Sequence, residues 1–301
     1  ALIYRNMGRA LMRRRRDEEA LEALQKSMEL DSSEISAYGQ FAAVLRNMEK
    51  YDESENFVRH ALKQFPEEPT LLCELSNNLQ CQFEFEEAEK YARQVLEIIP
   101  HHGPALVTLA IVLIHTGSEE EVLELYKTAL EAMPDERTVN FNYALTLFCY
   151  GYLEEAWKQY RHRWDTENFS SPVRSFPQKQ WDGSPLKGKK IILYGEQGLG
   201  DEIRHASLIP DMLEMGAEVH VECEPRLVDI FQRSFEGAKV FPRPYTEAET
   251  GMVDIDFQSA ILDLGGYLRP TIDSYPSDLN HAFLKPDPER ILFWKERMIG
   301  I

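Results

Sequence analysis

A 34-residue period constrains this chain more than any other feature. Pro66, Pro100 and Pro134 lie 34 residues apart. Each ends an amphipathic stretch, because proline lacks the N–H of the next helical hydrogen bond and its ring clashes with the preceding turn. The same frame aligns small residues in columns. Gly8, Ala42, Ser76, Ala110 and Ala144 form one, and Ala20, Ser54, Ala88, Val122 and Ala156 form another. Ser27, Ala61, Val95 and Ala129 form a further one. Small residues recur where two helix axes approach closely. Self-similarity at this period means stacked helix pairs, none of which buries its apolar face alone. The frame covers five repeats over residues 1–170, with Ser32 and Asn168 at the proline position of the first and fifth.

This small–small–proline pattern, as in Ala42, Ser54, Ala61 and Pro66, resembles the tetratricopeptide repeat (TPR) family. The resemblance implies an α-solenoid whose first helices line a concave groove for an extended protein or peptide. Groove residues are expected among polar positions off the packing columns: Asn77, Asn78, Asn140 and Asn142. An asparagine amide can both donate to and accept from a peptide backbone; the alternative is an ordinary solvated helix face. Trp164, near the end of the fifth repeat, suits a capping turn.

Composition narrows the partners. The net charge is −18 over 301 residues, and both halves are acidic, which disfavours nucleic acid and anionic membranes. The one basic run, Arg13–Arg16, falls in a predicted turn. The longest apolar run, Ala105–Ile114, is too short to span a bilayer and fits a buried helix. The start lacks the pattern of a signal peptide. It is already helical and begins with Ala, so a fragment of a longer chain is expected. Cys73, Cys81, Cys149 and Cys223 are widely spaced and form no CxxC pair, which predicts buried thiols, no metal site and a reducing, cytoplasmic setting. His101–His102 is read as an exposed turn.

From Phe169 to Lys190 the helical period gives way to turn formers (Ser170, Ser171, Pro172, Pro177, Gly183, Pro185, Gly188), so a linker is placed at 171–190. Trp181 is expected to anchor it. Residues 191–301 then alternate strand and helix patterns. Strands are predicted at Ile191–Gly195, Glu218–Glu222, Ala238–Phe241 and Asp254–Ala260, with a short helix near Leu262–Leu268 and another over Asp287–Arg297. Such alternation argues for a Rossmann-like parallel α/β domain. In these sheets ligands lie beyond the carboxyl ends of the strands, where the loop Glu196-Gln197-Gly198-Leu199-Gly200-Asp201 falls.

Several readings of that loop compete. Gly195, Gly198 and Gly200 do not have the GxGxxG spacing of a dinucleotide site, although Glu222 lies where a ribose-binding acid would. A Walker loop fails because no Lys-Ser/Thr follows. A purely structural turn, with Asp201 capping the next helix, is open. So is a catalytic loop. There Gly198 and Gly200 would admit special backbone conformations and close ligand approach, and the following helix would offer N–H groups to an anion.

The catalytic reading draws on a second resemblance. Trp181-Asp-Gly-Ser-Pro-Leu-x-Gly, Glu196-Gln-Gly-Leu-Gly-Asp-Glu-Ile, Ala206-Ser207 with Pro210, Glu222-Cys-Glu-Pro-Arg-Leu227, Phe231-x-Arg-Ser-Phe235 and Asp287-Pro-Glu-Arg290 with Trp294 resemble bacterial TPR-glycosyltransferases, whose catalytic region is similar to heptosyltransferases. The resemblance implies the N-terminal half of a GT-B fold with a nucleotide sugar as donor substrate, bound mostly outside this chain, and no further cofactor. It implies Asp201 as general base on the acceptor hydroxyl, Glu196 as a weaker candidate, and Gln197, Gly198 and Gly200 as acceptor or loop residues. Arg226, Arg233 and Arg269 match family positions and equally suit structural ion pairs; His205 departs from the family's aromatic. These 301 residues alone are expected to transfer no sugar. The rival reading is a non-catalytic TPR adaptor with a degenerate α/β domain.

Overall fold

The computed structural model describes residues 1–301 except 167, 168, 170, 244–254, 277–281, 300 and 301. The described chain divides into two compact units, Ala1–Thr146 and Leu147–Ile301. The division falls inside a helix of the fifth repeat, so the linker placed at 171–190 lies within the second unit.

The first unit is a helical solenoid. Its helices are α1 (Leu2–Arg13), α2 (Asp17–Leu30), α3 (Ile35–Asn47), α4 (Tyr51–Gln64), α5 (Pro69–Cys81), α6 (Phe85–Ile98), α7 (Gly103–Thr116) and α8 (Glu119–Ala132), then the start of α9 (Arg137–Tyr150). The column residues Ala20, Ala42, Ser54, Ser76, Ala88, Ala110 and Val122 are fully buried. Two of the serines tie the helices of one pair together. Ser54 Oγ donates to the Ala42 carbonyl at 2.8 Å, and Ser76 Oγ to the Ala88 carbonyl at 2.7 Å. The same two columns thus exchange donor and acceptor roles between adjacent repeats.

The turn inside each of the first three pairs also follows the period. Arg15, Glu49 and Phe83, 34 residues apart, all adopt the left-handed conformation. Non-glycine residues rarely do so, and here the packed helices on either side impose it. The Arg13–Arg16 run therefore sits where expected, at the exposed α1–α2 turn. Helix starts use the usual devices. Pro69 and Pro104 sit in the first turn of α5 and α7, where their missing N–H costs nothing. Ser118 caps α8 by accepting from the Glu121 N–H at 3.2 Å, and His102 caps α7 through the Ala105 N–H at 3.3 Å. The apolar run Ala105–Ile114 lies within α7, with Ala105, Leu106, Leu109, Ala110, Val112 and Leu113 buried. Among the described residues no helix is long and apolar enough to cross a membrane.

The second unit opens with the end of α9, then α10 (Leu153–Tyr160) and a 3-10 turn over Arg161–Asp165. A parallel sheet follows: β1 (Lys179–Gln180), β2 (Lys190–Tyr194), β3 (Glu218–Cys223), β4 (Lys239–Pro242) and β5 (Phe257–Ala260), in the order β1-β5-β2-β3-β4. Helices α11 (Leu199–His205), α12 (Ile209–Glu214) and α13 (Val228–Ser234) lie in the connections, with α14 (Gly265–Leu268) and α15 (Pro288–Met298) after β5. Ile191, Ile192 and Leu193 of β2 are fully buried, each worth about 1.5–3 kcal/mol of burial. Asp254, where the fourth predicted strand was to begin, lies outside the described residues.

β1 belongs to the stretch read as linker. It pairs with β5 through Lys179 and Gln180, and Trp181 beside it is buried, its ring 4.9 Å from that of Tyr267. Two residues are too short a strand for periodicity to reveal. One glycine fixes the packing of α10: a Cβ on Gly265 would lie 2.1 Å from the Trp157 ring, so α14 approaches that ring as backbone alone.

Candidate functional site

Two regions gather polar side chains, and they are built on opposite plans. In the first unit a groove of about 400 Å³ runs across successive first helices. Val107, Ile111, Met133 and Val139 supply apolar lining; Arg46, Asn77, Gln80, Thr108 and Asn142 supply polar groups. The 34-residue frame explains the polarity. Gln40, Glu74, Thr108 and Asn142 occupy one column, on α3, α5, α7 and α9. Of this column Thr108 and Asn142 line the groove, where an all-apolar pair would leave a sticky stripe in water.

The neighbours of that column are only partly satisfied. Asn77 Oδ1 accepts from the Thr108 hydroxyl. Arg46 reaches Glu74 at 3.4 Å, while its Nε and the Gln40 Oε1 are buried and have no hydrogen-bond partner among the described residues. Burial pushes the Glu74 carboxyl above its usual range, against the pull of Arg46.

Of the four predicted groove asparagines, the structure brings Asn77 and Asn142 into this lining. Asn140 instead donates to the Glu136 carbonyl of its own helix at 3.4 Å. Asn78 departs from the expectation: it is fully buried and donates to Ser54 Oγ at 2.7 Å. One residue along a helix turns the side chain by about 100°, which carries it from groove to core. The column Gln40–Glu74–Thr108 was missed, although its signal was present: polar residues recurring at the repeat period.

In the second unit the strand order reverses direction between β2 and β5, the place where open α/β sheets leave a crevice at the carboxyl ends of the strands. Here that end is filled by arginines. Arg163, fully buried in the 3-10 turn, donates from Nε to both Glu196 oxygens at 3.2 Å and from an Nη to Asp263 at 2.7 Å. Its guanidinium is stacked 4.6 Å from the ring centres of both Tyr160 and Trp164. Trp164 therefore packs on a buried cation. Burial drives the Glu196 carboxyl up to about 7; Arg163 pulls the other way, and Asp263 and Asp201 add to the rise.

The pattern repeats around the loop. Glu202, whose carboxyl burial also raises, accepts from Arg243 at 2.6 Å and from the Glu224 N–H at 2.8 Å. Gly195 makes room for it, since a Cβ there would lie 2.3 Å from the Glu202 carboxyl carbon. Glu222, at the end of β3 and fully buried, takes a fork from Arg174.

The predicted loop residues are all held. Gln197 donates its backbone N–H to Ser171 Oγ at 2.6 Å and its side chain to the Tyr160 hydroxyl at 2.7 Å. It is Gln197, with φ +60°, that takes the left-handed conformation. Gly198 has φ −100° and ψ 167°, and a Cβ on Gly200 would meet nothing within 4 Å. The expectation that these two glycines supply special conformations is thereby corrected. Asp201 lies in the first turn of the seven-residue α11; one carboxylate oxygen accepts from the Gly198 N–H at 3.3 Å, the other from Arg204 at 3.2 Å. The amide expected to meet an anion is thus already met by the protein's own carboxylate. About a third of the Asp201 side chain remains exposed. His205 is turned onto the Asp201 carbonyl at 2.9 Å, and burial lowers its pKa. Arg226, Arg233 and Arg269 pair with Glu224, Asp287 and Asp211. Among the described residues no group of His, Cys, Asp or Glu is placed to hold a metal, and the four cysteines are free.

Residues 82–146 match the tetratricopeptide repeat model. The helical pairs within that span are TPR repeats, and those before it keep the same 34-residue frame. Protein FlbA of Caulobacter vibrioides is 32% identical over 164 residues, 49% of this chain and 27% of FlbA. The chain thus spans about a quarter of the length of that relative. Among solved structures, a thermophilic TPR protein of Thermus thermophilus is 16% identical with a TM-score of 0.49, over 53% of this chain and 88% of that one. Pseudomonas aeruginosa pilF is 20% identical with a TM-score of 0.42, over 54% and 72%. TPR repeats are protein-interaction repeats, and the groove is where this array gathers polar groups beside apolar lining.

Proposed function

We propose that the first unit holds an extended segment of a partner protein in the α3–α9 groove. The observation that carries this reading is the polar pair Thr108 and Asn142, one repeat apart, flanked by Asn77 and set beside Val107, Ile111 and Val139. An extended chain presents N–H and C=O groups at regular intervals. Amide and hydroxyl side chains at a regular interval meet them without regard to sequence, while the apolar lining takes up side chains. The test is binding to an array of short unstructured peptides. Asn77→Ala combined with Asn142→Ala should weaken every bound peptide by about tenfold or more, since two hydrogen bonds of about 1 kcal/mol each are lost. Undiminished binding by the double variant removes the groove as the site.

A second reading concerns the second unit, which we propose is the acceptor-side portion of a glycosyltransferase catalytic region, drawing on a nucleotide sugar. Its support is the ordered set of motifs from Trp181 to Trp294 and the glycine loop at the carboxyl end of a parallel sheet. Within the loop, the partially exposed Asp201 is the carboxylate able to reach a substrate hydroxyl, because Glu196 is shut in by Arg163. As general base it takes the proton of an acceptor hydroxyl as that oxygen bonds to the anomeric carbon and the bond to the nucleoside diphosphate breaks, the diphosphate leaving with the electron pair, a contribution of about 10²–10⁴ in rate. Transfer from UDP- and ADP-sugars by the parent protein should fall by that factor in Asp201→Asn. An unchanged rate would leave the adaptor reading, in which the second unit has a structural role.

A further inference from the structure

The three arginines at the carboxyl end of the sheet are anchored very differently. Arg163 is locked between two rings in a 3-10 turn, and Arg243 directly follows β4. Arg174 comes from the extended segment 171–176, which makes no backbone–backbone hydrogen bond among the described residues. That segment is fastened through side chains. Ser171 Oγ accepts the Gln197 N–H, Arg174 forks onto Glu222, and the Phe176 ring lies 4.9 Å from that of Tyr194. Tyr194 and Glu222 are paired residues at the ends of β2 and β3, so the segment crosses the mouth of the sheet. Its Val173 side chain faces water, 71% exposed.

A stretch whose backbone is not in a ladder opens at a small fraction of the global unfolding free energy. What resists opening here is the carboxylate left behind. Glu222 is fully buried, and removing the cation from a buried pair leaves an uncompensated charge. Opening therefore becomes favourable when another cation takes Arg174's place beside the Tyr194 ring, whose centre lies 5.9 Å from the Arg174 guanidinium.

We propose that residues 171–176 form a strap that opens from the mouth of the sheet with Arg174 as its latch. The site it covers, Glu222 beside the Tyr194 ring, takes a guanidinium group from a ligand. Planar, forked donors fit a carboxylate bidentately and stack on aromatic faces, which an ammonium does less well.

Tryptic cleavage after residue 174 in the otherwise folded chain reports opening. Arg174→Lys keeps the charge and the cleavage site but loses the fork, so cleavage there should be at least several-fold faster than in the wild type. Glu222→Gln should raise it further, by tenfold or more. Ethylguanidine titrated calorimetrically into Arg174→Ala should bind at least tenfold more tightly than to the wild type, and the added Glu222→Gln should abolish that binding. Equal cleavage of Arg174→Lys and wild type overturns the latch. Equal ethylguanidine affinity in wild type and Arg174→Ala, or affinity indifferent to Glu222, overturns the site. If Arg174→Ala does not fold, the cleavage comparison with Arg174→Lys decides alone.

Discussion

The groove of the first unit and the sheet mouth of the second place polar groups in opposite conditions. Along the groove, Asn77, Gln80, Thr108 and Asn142 line an open surface. At the sheet mouth, Glu196, Glu202 and Glu222 are buried and each is met by an arginine from another part of the chain. An open polar row costs little to leave unoccupied, because water satisfies it. A buried carboxylate does not have that option, so its arginine is as much a part of the fold as a core leucine. Substitutions should therefore act on stability at the sheet mouth and on binding in the groove.

The largest effect expected is at Arg163. Arg163→Met leaves Glu196 and Asp263 facing each other in the interior, at a cost of about 3–5 kcal/mol, as for breaking any buried pair by removing one partner. In denaturant the second unit should lose its transition at lower concentration while the helical signal of the first unit stays. A variant of wild-type stability would mean that the cluster is hydrated and the contrast false.

A pH titration sharpens the same point. Glu196 has its pKa raised to about 7 in the folded chain by burial, against about 4.5 when unfolded. The folded state then holds a proton that the unfolded state has released, and stability falls as pH rises between those two values. The fall amounts to up to about 3 kcal/mol. Glu196→Gln should flatten that slope. A wild-type profile rising with pH over the window would show that Arg163 wins over burial.

How much of this was legible beforehand follows from the range of the interactions. The repeats announce themselves because each pair repeats the same local packing problem; Ala42 and Ser54 solve it as Ser76 and Ala88 do. The strands of the sheet were legible from apolar runs such as Ile191–Leu193. The sheet mouth was not. Arg163 lies 33 residues from Glu196 and 100 from Asp263, and no spacing rule connects an arginine to partners that only the topology brings together. Glu196 and Asp201 look equally available as letters; the fold shuts one in and ties the other to Gly198 and Arg204. Gln197 taking the left-handed turn, with two glycines beside it, shows the limit of reading conformation from composition.

Gly265→Ala should cost about 1–3 kcal/mol, the usual range for overpacking, because the new methyl meets the Trp157 ring. Loss of the second unit's unfolding cooperativity would follow if that contact seats α10 on the sheet. Trp157 fluorescence reads the displacement directly, and an unchanged spectrum and midpoint would show that the ring is free to move aside.

The smallest expected effects distinguish a buried column residue from a residue of the groove wall. Ser54→Ala removes a buried hydroxyl that donates to the Ala42 carbonyl and accepts from Asn78. Two groups lose partners, and the cost should be about 1–3 kcal/mol by thermal unfolding. Asn142→Ala sits on the groove wall and should change stability by no more than about 0.5 kcal/mol while weakening peptide binding. If Asn142→Ala destabilises as much as Ser54→Ala, its amide is a structural strut like Asn78. The groove would then share the closed character of the sheet mouth.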